Sequence, residues 1–191
     1  MVSEKKINLI NSAVHLFEKQ GYMQTSVQDI VEHANVTKGS FYYYFDSKED
    51  LLYLIHDEFI EYELKKVTEI TELPNLSCTE KLKRMIEATW KSIALYKEKV
   101  TIYLLERRFI TAEKNKLIKQ KRDKFEDCFV NILKEGIKSG EFDPTINPKL
   151  IAFSILGMSG WGIHWYRQDG ELSIEEIAKI HQNMILKGIS I

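Results

Sequence analysis

The stretch TSVQDIVEHANVTKGSFYYYFDSKEDL, Thr25 to Leu51, decides the fold. Thr25-x-x-Gln28 reads as a capping box, in which the hydroxyl meets an amide at the helix start and the glutamine reaches back. Val27, Ile30, Val31 and Ala34 then follow at helical spacing. Asn35 stands at the turn, where a residue tolerating a left-handed backbone is needed. Thr37 caps a very short helix carrying Lys38 to Tyr43, and Ser47-x-x-Asp50 caps the next.

On the amino-terminal side, Ile7, Ile10, Ala13, Val14 and Phe17 recur at helical spacing, widened by Leu9 and Leu16. They predict a first helix over 4–20, with Ser3 as its cap and Gly21 as its stop. On the carboxyl-terminal side a helix runs from the Ser47 cap to about Ile70, and Pro74 with Asn75-Leu76-Ser77 breaks it. Further helices are predicted at 79–96, 98–111, 114–138 and 149–166, and a last one from Ser173-x-x-Glu176 to about Lys187. The chain is read as all-α, with domains 1–47 and 48–191 and no repeat, low-complexity tract or run of strands.

Composition narrows the function. At 191 residues and 44% hydrophobic the chain can bury a large core. Cys78 and Cys128 form no metal spacing and no disulfide framework, which suits a reducing cytoplasm. Ser3 to Lys6 lead into an amphipathic pattern rather than an apolar leader. Leu150 to Tyr166 carries no charge and reaches only the short limit of a membrane span. Its serines, His164 and glycines point instead to a helix buried in the protein or in a subunit interface, with no membrane partner. His15, His33, His56, His164 and His181 are scattered, without a metal motif, nucleophile elbow or phosphate loop, so no enzyme and no cofactor is expected.

Charge gives no diffuse basic field. Residues 1–60 hold nine acidic and five basic residues, and the rest of the chain carries the small basic excess. Any DNA binding must therefore rest on a few placed donors.

A helix-turn-helix enters the major groove by the start of its second helix, where small, polar and hydrogen-bonding residues are needed. Thr37, Lys38, Gly39 and Ser40 fit, with Gly39 allowing close backbone approach. Phe41 and Phe45 are expected inside, while at least two of Tyr42, Tyr43 and Tyr44 face outward to reach phosphate. Lys48 begins a helix, where the macrodipole disfavours a cation unless a phosphate is present; it also stands beside Glu49 and Asp50, which it could offset.

The run Gly39-x-x-Tyr42-x-Tyr44-Phe45-x-x-Lys48-x-x-Leu51, after Thr25, Ile30 and Ala34-x-Val36, resembles the signature of TetR-family transcriptional regulators. The resemblance covers roughly the first 55 residues. It implies a three-helix DNA-binding domain, a larger helical ligand-binding domain and a homodimer on a palindromic operator. Carried over by position, Thr25, Ser26, Thr37, Lys38, Ser40, Tyr42, Tyr43 and Lys48 contact DNA. Asn35 replaces the usual glycine of the turn.

In the remainder, Gly157, Gly160 and Gly162 lie beside Trp161, Trp165 and Tyr166, and Ile177, Ile180, Met184 and Ile185 share one helix face. Glycine costs about 1 kcal/mol against alanine in a helix, so close approach of another backbone is the expected reason for it. Gly157, Trp161, Trp165, Ile177, Ile180 and Met184 are the candidate dimer contacts, intrachain core being the other account. Trp90, Ile93, Tyr103 and Leu104 are candidate walls of an effector pocket, with Arg107 and Arg108 as anion donors at its mouth. The pattern Glu106-Arg107-Arg108, Arg122-Asp123 and Trp165-Tyr166-Arg167-x-x-Gly170-x-Leu172-Ser173 is similar to regulators of lipid or steroid catabolism, which implies an acyl-coenzyme A thioester as effector. The rival reading is a helical small-molecule-binding or interaction protein whose DNA-reading head has lapsed.

Overall fold

In the computed structural model, described for residues 3–190, the chain is helical almost throughout. Residues 1, 2 and 191, the outer ends of the two predicted domains, lie outside this range. The helices are α1 (Glu4–Gln20), α2 (Val27–His33), α3 (Lys38–Tyr44), α4 (Lys48–Thr71), α5 (Cys78–Leu105), α6 (Ala112–Lys138), α7 (Pro148–Gly160), α8 (Gly162–Trp165) and α9 (Ile174–Ile189). A 3-10 turn, Arg107–Phe109, joins α5 to α6. The one β-type pairing among the described residues is an isolated bridge between Phe142 and Ser190.

The chain divides into two compact units, residues 1–59 with 98–119, and residues 60–97 with 120–191. The first is built on α1 to α3. Leu9, Ile10, Ala13, Val14 and Phe17 form the buried stripe of α1, while Ile7 points to solvent. Ile30, Phe41, Leu51 and Leu52 complete this core, and each is fully buried. The second unit buries Leu82, Met85, Ile86, Phe129, Leu133, Phe142 and Ile155. Ser173 and Glu176 form a reciprocal box on α9, as the sequence expects, and Asn147, which the sequence reading did not single out, caps α7 ahead of Pro148.

Three boundaries differ from the sequence reading. The break expected between 96 and 98 is a kink at Tyr96 (φ −133°, ψ 34°) inside one long helix, α5. The helix expected over 98–111 ends at Leu105 and continues as the 3-10 turn. The uncharged helix expected over 149–166 is split at Trp161 into α7 and α8. Gly162 follows the split directly. A Cβ there would lie 2.6 Å from the Trp90 ring and 3.1 Å from the Ile93 side chain. The close approach that requires a glycine is therefore made within the chain at Gly162, whereas a Cβ at Gly157 would meet open space. No helix among the described residues is long and apolar enough to cross a membrane.

Candidate nucleic-acid interface

The loop from Gly21 to Ser26 sets the start of α2. Gly21 ends α1 with φ +87°, a conformation that favours glycine. Thr25 is fully buried, and its hydroxyl lies 2.9 Å from the Gly21 carbonyl, to which it donates. It is therefore not the helix cap. Ser26 takes that place: its hydroxyl accepts the Asp29 amide at 3.1 Å, and the Asp29 carboxylate accepts the Ser26 amide at 2.7 Å. Those bonds hold the Asp29 carboxyl below its ordinary range. Thr25-x-x-Gln28 is thus corrected to Ser26-x-x-Asp29, and Gln28 instead donates to Glu32 at 2.6 Å. Thr25, proposed from its position as a DNA contact, has no exposed surface here.

The turn behaves as the sequence expects. Asn35 adopts φ +52°, and the Val36 amide returns to the Val31 carbonyl at 2.9 Å. Thr37 caps α3 by accepting the Ser40 amide at 3.2 Å, and the two hydroxyls lie 3.1 Å apart. Phe41 and Phe45 are buried with ring centroids 5.5 Å apart, pinning α3. Tyr42 and Tyr43 are exposed at 54% and 80%, and the Tyr44 hydroxyl donates to Ser3 at 2.8 Å. Ser26, Thr37, Lys38 and Gly39 are exposed and Ser40 is half-buried. Seven of the nine residues singled out for DNA thus keep solvent-facing surface at the starts of α2 and α3 or on the outer side of α3, Lys48 is half-buried at the start of α4, and Thr25 is buried.

Lys48 has partners that neither sequence alternative named. Its ammonium donates to the Tyr22 carbonyl at 2.7 Å and the Thr25 carbonyl at 2.6 Å, and stands 4.1 Å from the Tyr22 ring centroid. Partial burial lowers its pKa. Glu49 and Asp50 are met by Lys114 instead, and the Thr111 amide also donates to Glu49 at 3.0 Å.

The effector candidates fall in both units. Trp90 and Ile93 are buried in the second, where the Trp90 indole donates to His181 Nδ1 at 2.7 Å and its ring lies 5.5 Å from that of Trp165. Tyr103 belongs to the first, its ring 5.1 Å from Phe59 and 5.5 Å from His56; Leu104 there is exposed, and Arg107 and Arg108 form the 3-10 turn. Gly157, Trp161, Trp165, Ile177, Ile180 and Met184 line one apolar groove of about 460 Å³, together with Trp90, Met158 and His181. Trp161 is 64% exposed on it. The sequence reading passed over His181, since a lone histidine on an amphipathic helix carries no signal of its tertiary partner.

Two family models match the chain. One, described as bacterial regulatory proteins of the tetR family, matches residues 9–53. The other, described as the tetracyclin repressor-like C-terminal domain, matches residues 75–189. The chain belongs to the TetR family. It is therefore a DNA-binding transcriptional regulator, in a family that is not enzymatic, and this displaces the reading of a lapsed head. It is 28% identical over 190 residues to the HTH-type transcriptional repressor KstR2 of Rhodococcus jostii strain RHA1, covering 98% of this chain and 92% of the relative. The solved ketosteroid transcriptional regulator KstR2 of Mycobacterium tuberculosis superposes with a TM-score of 0.89 at 24% identity, over 100% and 97% of the two chains. AibR, solved in complex with isovaleryl coenzyme A and operator DNA, superposes with a TM-score of 0.85 at 24% identity, over 95% and 97%.

Proposed function

We propose that this TetR-family protein is a cytoplasmic, homodimeric repressor that binds a palindromic operator and is released by an apolar effector of the acyl-coenzyme A class. The observation that carries the reading is the row of exposed donors at the starts of α2 and α3: Ser26, Thr37 and Lys38, flanked by Tyr42 and Tyr43. Helix starts present unpaired amides that suit phosphate, and hydroxyls with one lysine add position without a broad basic field. The dimer reading is supported by the exposed apolar groove, since contiguous apolar surface on a folded protein marks an interaction site. Two-fold symmetry would set the paired α3 helices about 34–36 Å apart, one DNA turn.

The effector class is supported by the isovaleryl coenzyme A in the AibR complex. Trp90 and Ile93 are proposed to meet its apolar part, and Tyr103, Leu104, Arg107 and Arg108 remain separate candidates in the other unit. Release requires that the effector bind the DNA-incompetent state more tightly than the competent one.

Selection of bound duplexes from a random pool at low salt tests the operator, and titration of acyl-coenzyme A thioesters into the resulting complex tests the effector. An enriched palindrome that is released by thioester is expected. Enrichment of a non-palindromic site would count against the dimer, and release by no acyl-coenzyme A would remove the effector class.

A further inference from the structure

We propose that Glu106 and Phe109, which stand in the α5–α6 connection and not in the helix-turn-helix, are positioning residues for DNA binding. They fix the loop from which α2 starts. The Tyr22 amide donates to the Glu106 carboxylate at 3.3 Å. The Tyr22 ring stacks on Phe109 with centroids 5.1 Å apart and planes 25° apart, and meets the edge of Phe17 at 5.2 Å. Lys48 covers Tyr22 at 4.1 Å, and the Arg108 guanidinium stands 4.8 Å from the Phe109 ring. Lysine, tyrosine, phenylalanine and arginine thus form one continuous cation–ring stack. A few residues on, Thr111 and Lys114 hold Glu49 and Asp50 at the start of α4.

The consequence lies in what this loop carries. Ser26, the cap that orders the first amides of α2, directly follows Thr25, whose carbonyl is gripped by Lys48. Thr25 also ties back to the end of α1, through its hydroxyl to Leu16 and Gly21 and from Gln20, and through its amide to the Tyr22 carbonyl at 3.3 Å. Contacts that hold the loop before DNA arrives reduce the ordering cost of binding. Residues remote in sequence from the DNA-reading helices therefore set where the α2 start meets phosphate.

The test compares Glu106→Ala with Glu106→Gln, and Phe109→Leu with Phe109→Tyr, on the enriched operator duplex. Glutamine keeps an acceptor oxygen while sharing alanine's loss of charge, and tyrosine keeps the ring. Glu106→Ala is expected to raise Kd about tenfold, the order set by one hydrogen bond, and Phe109→Leu by up to about tenfold, the order set by one aromatic pair. The salt slope should stay unchanged, because no phosphate contact is lost. Glu106→Gln and Phe109→Tyr should bind like the parent, and hydrogen exchange at the Tyr22 amide should accelerate in Glu106→Ala. Unchanged Kd with accelerated exchange would overturn the proposal. So would a loss of binding that tracks thermal stability equally in the conservative and disruptive variants.

Discussion

At the residue scale, two lysines of the head separate by what surrounds them. Lys38 is exposed at the start of α3, while Lys48 spends two of its three donors on the carbonyls of Tyr22 and Thr25. Lys38→Ala is expected to weaken binding to all duplexes and to reduce the slope of log K against log salt by about 1. Lys48→Ala is expected to lower the unfolding midpoint, since two carbonyls lose a cationic donor, with a smaller change in slope. Paired titrations in salt and thermal melts read this out; a full slope change in Lys48→Ala would show that its ammonium leaves the carbonyls for phosphate. Thr25 and Ser26 make a similar pair. Each is a hydroxyl with a polar side chain three residues on, so the sequence allows either to cap α2. The Gly21 carbonyl, within 2.9 Å of Thr25, decides between them.

At the scale of elements, His56 joins α4 to the end of α5 inside the first unit. It has no exposed surface, and its Nδ1 lies 2.9 Å from the Leu52 carbonyl. Burial pushes its pKa down from 6.5 to about 4, against backbone bonds that favour the charged form. The folded state therefore holds His56 neutral where the unfolded chain takes up a proton. This contribution is fully present above pH 6.5 and is lost as pH falls from 6.5 toward 4. The loss amounts to roughly 3 kcal/mol, at 1.36 kcal/mol per pKa unit. Urea unfolding at several pH values in this window should show the decline, and His56→Leu should flatten it. A parental chain equally stable across the window would exclude His56 as the source.

At the scale of the whole molecule, the apolar groove on α7, α8 and α9 is the surface proposed to join two copies. Ile180 and Met184 are exposed at 56% and 55%, and both line it. The double variant Ile180→Glu, Met184→Glu places carboxylates where an apolar partner would sit, at small cost to an isolated chain because neither residue is buried. Sedimentation velocity is expected to show a folded monomer with weakened operator binding. A dimer of parental affinity would move the subunit interface elsewhere.

What could be read without coordinates was local. The helix periods of α1 and α4, the Ser47 and Ser173 caps, the left-handed Asn35 and the inward Phe41 and Phe45 all follow from neighbours a few residues away. The set from Gly39 to Leu51 pointed to the family because each residue answers a need of the same short motif. The rest depended on groups distant along the chain. That the carbonyls of Tyr22 and Thr25 converge on Lys48 does not follow from its place at a helix start. Nothing in the spacing of Glu106 points to the Tyr22 amide, and nothing around His181 in the sequence points to the Trp90 indole. The glycines near Trp161 carry one sequence signal but two fates, Gly162 pressed against Trp90 and Gly157 open on the groove. Sequence spacing determines which face of a helix is apolar, because the helical period is a property of the backbone. Which distant group a polar side chain meets is decided only when tertiary packing brings the segments together.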